Sequence, residues 1–180
     1  MRLERGAAPR AVVVFGVAGV GKTSAARRLA ERMGAAFADA DDYHDRRLIA
    51  QMSAGIPLED EDRWEWLWRL RGLTDAALQR GESIVLACSA LKTAYRDILR
   101  GDGADTIFVE LALPRVALQR RIAARTGHFM PASMLDSQLM SFEPLTEAER
   151  AGGSFVVSAA SGVDDVADEI IAHLDAGIRR

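Results

Sequence analysis

The stretch GVAGVGKT, residues 16–23, restricts the fold and chemistry of this chain more than any other part of its sequence. It matches the pattern G-x-x-x-x-G-K-[ST], which in phosphate-binding loops follows a strand and opens a helix. Here the apolar, β-branched run AVVVF (11–15) precedes it, and apolar residues recur at helical spacing over 22–33. Glycines let the backbone wrap closely around phosphates, and the following helix adds the positive end of its dipole. The pattern therefore predicts a strand–loop–helix unit that binds a nucleotide.

The motif also assigns roles within the loop. The ammonium group of Lys22 is expected to reach the β- and γ-phosphates, and the hydroxyl of Thr23 is expected to bind Mg²⁺. The expected nucleotide-binding residues are Gly16, Val17, Ala18, Gly19, Val20, Gly21, Lys22, Thr23 and Ser24.

Strand and helix patterns alternate along the rest of the chain. Such alternation predicts a three-layer α/β fold with a five-stranded parallel sheet covered by helices on both faces. Without an internal repeat or a linker, residues 1–180 are expected to form a single domain. The expected strands are 11–15, 35–40, 83–88, 106–113 and 154–159, and the expected helices are 22–33, 46–55, 63–80, 92–100, 114 to about 125, and a last one with apolar Val163, Val166, Ile170, Leu174 and Ile178 on one face.

Composition excludes several classes of function. With 49% hydrophobic residues and a net charge of −3, the chain is not expected to bind nucleic acid or an anionic membrane through charge. The single cysteine, Cys88, excludes an internal disulfide framework and suits a reducing compartment. Arginines before the apolar run 11–20 imitate a signal peptide, but removing that run would cut the phosphate loop in two. A cytoplasmic location is therefore expected.

The acidic residues narrow the kind of nucleotide-binding protein. A chain without asparagine lacks the Asn-Lys-x-Asp motif of GTPases, and the strand at 83–88 ends in cysteine rather than aspartate. The acids stand instead at DADD (39–42), where a predicted strand ends and ligands of parallel sheets bind. Strand alternation would aim Asp39 and Asp41 the same way, towards the phosphates. A carboxylate there can hold metal-bound water or accept the proton of an attacking hydroxyl, so the sequence favours phosphoryl transfer from Mg-ATP to a small molecule over a solvated acidic turn.

Four further stretches follow or separate the strands, and with the phosphate loop they resemble the gluconate kinases. These are P-loop small-molecule kinases similar in fold to shikimate kinases, and the resemblance spans Val12 to Leu145. It implies ATP-dependent phosphorylation of D-gluconate to 6-phosphogluconate with Mg²⁺, a mobile lid at about 120–135, and a homodimer. The stretches are DADDYHD (39–45), GIPLEDEDRWEWL (55–67), CSALKTAYRDILR (88–100) and RRIAARTGHFMPASMLDSQLMSFEPL (120–145).

The resemblance also implies roles for individual residues. Gluconate is a carboxylate with a row of hydroxyls, so a pocket for it needs cations and hydrogen-bonding groups. Asp41 is expected to act as the base or positioner of the attacking hydroxyl, and Asp39 to lie behind metal-bound water. The implied sets are catalytic Lys22, Asp41, Arg121 and Arg125, the last two in the lid; substrate-binding Asp41, His44, Arg63, Lys92, Arg96 and His128; and metal-binding Thr23 and Asp39.

Two alternatives stay open at this point. Asp45, Leu48 and Gln51 depart from the residues usual in the family beside the acceptor stretch, so a kinase for another small sugar acid or polyol is one alternative. The other is a P-loop domain that binds nucleotide as a non-catalytic switch. The acidic pair and the arginine-rich lid weigh against the switch, which needs no acceptor pocket.

Overall fold

A five-stranded parallel sheet forms the centre of the molecule, as predicted. The computed structural model describes residues 8–56, 58–101, 105–124 and 132–178. The strand order is β2-β3-β1-β4-β5. The strands are β1 (Ala11–Phe15), β2 (Ala36–Asp39), β3 (Ile84–Ala87), β4 (Thr106–Ala112) and β5 (Phe155–Ser158).

The central strands are apolar throughout because helices cover both of their faces. Every residue of β1 and β3 is buried, and Val13 of β1 lies in register with Leu86 and Phe108 of its two neighbours. Since the strands are parallel, their carboxyl ends share one edge of the sheet. Gly16, Asp39 and Cys88 stand at or just after those ends, so the sheet brings three distant segments together.

Helices form the two outer layers. Alternate residues of β1 point to opposite faces of the sheet, and each face has its own hydrophobic core. Val12 and Val14 pack with the first and last helices, whereas Val13 and Phe15 pack on the opposite face. The described helices are α1 (Lys22–Met33), α2 (Arg46–Ser53), α3 (Asp60–Gln79), α4 (Thr93–Arg100), α5 (Arg115–Ala123), α6 (Ala132–Ser141), α7 (Glu147–Ala151) and α8 (Val163–Ile178), with a 3₁₀ turn at Ala40–Tyr43.

Three elements were not predicted from the sequence: the 3₁₀ turn, α6 and α7. The α7 helix has a recognisable start, because Thr146 and Glu149 cap it reciprocally: the Glu149 N–H donates to Thr146 Oγ1 at 3.2 Å, and the Thr146 N–H donates to Glu149 Oε2 at 2.8 Å. The α3 helix starts three residues earlier than expected, at Asp60, because the Asp62 carboxylate accepts from the Glu59 N–H at 3.2 Å. Among the residues that the structure describes, no helix has the length and apolar character needed to cross a membrane.

Candidate functional site

The phosphate loop has a backbone that only glycine adopts easily. Gly19 has φ +80° and Gly21 has φ +103°, and a Cβ on Gly19 would lie 2.8 Å from Ile122 Cγ1 of α5. The loop leads directly into α1, and the amides of Gly19, Gly21, Thr23 and Ser24 have no hydrogen-bond acceptor among the described residues. Backbone N–H groups at a helix N-terminus are a ready site for phosphate.

Thr23 and Asp39 join the loop to the end of β2. The Thr23 hydroxyl donates to Asp39 Oδ2 at 2.7 Å, and the other carboxylate oxygen accepts from the Asp41 N–H at 3.1 Å. In the described parts of the chain, no three His, Cys, Asp or Glu side chains cluster as a metal cage would require. One hydroxyl and one carboxylate beside a phosphate loop suit Mg²⁺, which usually takes few protein ligands and keeps waters and substrate oxygens.

The 3₁₀ turn corrects one step of the sequence argument. We expected strand alternation to aim Asp39 and Asp41 the same way, which is wrong because β2 ends at Asp39 and the backbone then turns. The Asp41 side chain is 87% exposed, and its Oδ1 lies 4.0 Å from Nε2 of His44. Asp41 therefore lies at the exposed mouth of the site. It is next to Asp39, whose carboxylate accepts a hydrogen bond from the Asp41 backbone N–H.

His44 is held below that mouth by α3. Its ring stacks on Trp66 with centroids 4.3 Å apart, while the Trp66 indole donates to Ala40 O at 2.8 Å. Burial lowers the pKa of His44, although the neighbouring Asp41 raises it, so the imidazole is neutral at neutral pH. Its buried Nδ1 has no hydrogen-bond partner in the part of the chain that the structure describes.

A cationic cluster lies where α3 and α4 begin. Lys92 Nζ donates to both oxygens of Asp60, at 2.7 and 2.8 Å, and the Tyr95 hydroxyl donates to the same carboxylate. These donors hold the pKa of Asp60 below its ordinary value. The Arg63 guanidinium lies 5.7 Å from the Tyr95 ring centroid. Sequence reasoning found Lys92 and Arg63 but missed Asp60, since nothing distinguishes it from the other acids of the run EDED.

Arg96 does not belong to this cluster. The prediction that it binds substrate is wrong, because the structure buries its side chain away from the site. Its side chain is fully buried, where Nε and Nη2 donate to the two oxygens of Glu149 at 2.6 and 3.1 Å. Nη1 donates to backbone carbonyls of Ala90 and Glu143. The guanidinium joins α4 to α7 and has no exposed surface to offer to a ligand.

On the other side of the phosphate loop, Arg121 lines a cavity of about 270 Å³. The Arg121 guanidinium donates to Val20 O at 3.0 Å and to Ala159 O at 2.7 Å, so it ties α5 to the loop and to the end of β5. Val163 and Val166 of α8 also line the cavity, although their spacing in the sequence indicated only the apolar face of a helix. The other two predicted residues of the lid region, Arg125 and His128, lie outside the described residues.

Cys88 follows β3 at this edge of the sheet as a buried thiol. Burial raises its pKa to about 12, so the thiol stays protonated at neutral pH.

The three departures beside the acceptor stretch belong to α2. Asp45 caps this helix, since its Oδ1 accepts from the Leu48 N–H at 2.8 Å, and the Leu48 side chain is buried. Gln51 lies in the same helix. At least two of the three departures thus have a structural use in α2.

Comparison with known proteins identifies the family. A family profile described as "AAA domain" matches residues 12–145. A gluconokinase from Gluconobacter oxydans is 40% identical over 173 residues, which cover 96% of each chain. This chain belongs to the gluconokinase family.

Solved structures agree with membership of the family. An unliganded sugar kinase from a Janibacter species has a TM-score of 0.86 at 41% identity, covering 93% of this chain and 95% of that one. A gluconokinase from Sinorhizobium meliloti has a TM-score of 0.82 at 38% identity, covering 93% and 92%. A shikimate kinase from Acinetobacter baumannii shares the fold alone, with a TM-score of 0.58 at 19% identity. The expected resemblance and the P-loop kinase fold are confirmed.

Proposed function

We propose that this protein transfers the terminal phosphoryl group of ATP to the primary hydroxyl of D-gluconate, forming 6-phospho-D-gluconate. The observation that carries the proposal is the meeting of an open phosphate loop, an exposed carboxylate and a cationic cluster at one edge of the sheet. Membership of the gluconokinase family supports the choice of acceptor.

ATP would bind along the phosphate loop. Its phosphates suit the backbone amides at the start of α1 and the ammonium of Lys22, which lies 3.1 Å from Val17 O. We assign the nucleoside to the cavity beside Arg121, because this cavity continues from Gly19–Gly21 and is large enough to admit a ring system.

Thr23 and Asp39 would hold Mg²⁺. When bound, the ion neutralises charge on the phosphate oxygens. Asp39 is already oriented for this role, since its two oxygens are fixed by the Thr23 hydroxyl and the Asp41 amide.

The acceptor would bind between the 3₁₀ turn and the cationic cluster. Asp41 would accept or orient the proton of the attacking hydroxyl, and neutral His44 would bind a hydroxyl. Arg63 and Lys92 would bind the gluconate carboxylate. An ammonium group has three N–H donors, and Asp60 uses two of those on Lys92, so Asp60 holds Lys92 in place while leaving a donor for the acceptor.

Several parts of the proposal rest on the resemblance alone. They are lid roles for Arg121 and Arg125 over about 120–135, substrate binding by His128, and a homodimer. A single kinase domain spanning 1–180 is also proposed, supported by the length of the chain and its lack of an internal repeat or linker. A cytoplasmic location is also proposed, and the single buried Cys88 suits a reducing compartment.

The test is ADP release by the purified protein with Mg-ATP over a panel of D-gluconate, other sugar acids, polyols, shikimate and nucleoside monophosphates. We expect turnover with D-gluconate and a product phosphorylated at the primary hydroxyl. Turnover with another acceptor while gluconate is inactive would overturn the substrate assignment. ATP binding without ADP release for any acceptor would favour the nucleotide switch.

A further inference from the structure

One peptide unit of the phosphate loop is held from both sides. The carbonyl of Val17 accepts from Lys22 Nζ at 3.1 Å, and the N–H of Ala18 donates to Gln138 Oε1 at 2.7 Å. This carbonyl and this N–H belong to the same planar peptide, where they point in opposite directions. Gln138 and Lys22 therefore lie on opposite sides of the Val17–Ala18 peptide and fix its orientation together.

Gln138 comes from α6, a helix that itself is firmly placed. Leu135 is buried in the core cluster that also contains Val17 and Val20, and Asp136 accepts from Arg115 of α5 at 2.6 Å. Because the Ala18 N–H can only donate, the oxygen of the Gln138 amide must face it. A side chain 120 positions away along the chain thus determines how the third residue of the loop is oriented.

We propose that Gln138 is a positioning residue for Lys22, acting through the Val17–Ala18 peptide. The bond to the N–H polarises the peptide and strengthens its carbonyl as an acceptor for the ammonium. Without that bond, the Ala18 N–H loses its partner, the peptide is free to rotate, and Lys22 loses its anchor on Val17 O. The inference rests on the proposed function only in that Lys22 binds the phosphates of ATP. Gln138 itself contacts the loop backbone.

The test is a double-mutant cycle on the dissociation constant of Mg-ATP, measured by calorimetry with the wild type, Gln138→Met, Lys22→Met and the double variant. Methionine keeps the length of the side chain but accepts hydrogen bonds only weakly. We expect Gln138→Met to weaken ATP binding about fivefold, as one neutral hydrogen bond would. In the Lys22→Met background, the same change should leave the affinity unaltered, since the group it positions is gone.

A merely structural role predicts a different result, namely the same loss of affinity in both backgrounds. That result would overturn the inference, and so would wild-type affinity in Gln138→Met. Met140→Gln is the control, because Met140 lies on the same helix and is 88% exposed. It should bind ATP as the wild type does.

Two provisions keep the outcome decisive. If circular dichroism shows that Gln138→Met does not fold, Gln138→Asn replaces it in the double-mutant cycle. The shorter asparagine side chain places its amide oxygen one methylene short of Ala18 N, so the same results are expected and the same results would overturn the inference. The readout does not involve gluconate. A cycle with the expected coupling in a protein that leaves gluconate unphosphorylated would support the inference and refute the proposed acceptor. A wild type that binds no ATP would refute both.

Discussion

Asp41 and Asp42 are neighbouring carboxylates in the same 3₁₀ turn, yet their surroundings differ. Asp41 lies 4.0 Å from the His44 ring, and its amide is bound to Asp39. Asp42 is exposed on the same turn and forms no side-chain hydrogen bond or ion pair with the described residues. The pair therefore provides a matched test of the residue proposed to activate the acceptor.

Asp41→Asn is expected to lower the turnover number about 10²–10⁴-fold, the usual contribution of a positioned base. ATP affinity should stay within about twofold, since the phosphate loop does not use this carboxylate. Steady-state kinetics with gluconate and calorimetry with ATP measure the two effects. Asp42→Asn should behave as the wild type, and equal losses in both variants would show that general charge rather than position matters.

The buried ion pair of Arg96 and Glu149 leads to a prediction about stability. Arg96→Met leaves the Glu149 carboxylate in the interior without its main partner, which typically costs about 3–5 kcal/mol of the free energy of unfolding. Arg100→Met is the comparison. The Arg100 side chain is 29% exposed and reaches the same carboxylate at 3.1 Å, but its loss leaves Glu149 paired with Arg96, so the cost should be smaller, about 1–2 kcal/mol. Denaturant unfolding measures both.

The same variant tests the corrected role of Arg96. Under conditions in which the Arg96→Met variant is folded, its KM for gluconate should match that of the wild type. A large rise in KM without loss of stability would restore the substrate-binding role that the sequence suggested.

Between elements, the phosphate loop approaches α5 closely. A Cβ at Gly19 would meet Ile122 at 2.8 Å in a backbone with φ +80°, whereas a Cβ at Gly72 of α3 would meet nothing within 4 Å. Gly19→Ala should therefore lower the free energy of unfolding by about 1–3 kcal/mol and weaken ATP binding.

Gly72→Ala is the control for Gly19→Ala, because the added methyl group at Gly72 meets no atom within 4 Å. It should raise the free energy of unfolding by about 0.5–1 kcal/mol, because alanine loses less conformational freedom than glycine in a helix. Thermal or denaturant unfolding distinguishes the two signs. A stabilised Gly19→Ala variant that binds ATP normally would contradict the close approach of α5.

Elements with a local signal were predictable, and those that depend on distant contacts were not. The strands and the phosphate loop follow from apolar runs and glycine spacing within a few residues. The cap of α7 is also local, since Thr146 and Glu149 fit the capping-box pattern, so α7 was predictable in principle although we did not predict it. The burial of Arg96 was not predictable, because its partner lies 53 residues away. The contact of Gln138 with the loop is hidden for the same reason.

For the whole molecule, the pH dependence of stability should reflect Glu149. Burial alone would raise its pKa, but the hydrogen bonds from Arg96 and Thr146 outweigh burial and lower the pKa from 4.5 to about 2. The unfolded chain therefore takes up a proton first as the pH falls, so this stabilisation is present above about pH 4.5 and is lost towards pH 2.

Glu149→Gln should flatten the acid limb of the curve relating the free energy of unfolding to pH. Its stability at neutral pH should fall, because Arg96 then keeps its charge in the interior without a counter-charge. Urea unfolding at a series of pH values from 7 to 3 measures both effects. An acid limb as steep as that of the wild type would show that other carboxylates dominate acid unfolding.

The Arg96–Glu149 pair also has a consequence for biosynthesis. Translation delivers α4 well before α7, so a growing polypeptide holds the guanidinium of Arg96 without its carboxylate partner until 53 further residues have been added. A ribosome that has just passed residue 138 has already supplied every group assigned here to phosphoryl transfer. That nascent chain still lacks the carboxylate that pairs with Arg96 in the interior. The native packing of α4 therefore cannot be completed until Glu149 has been added.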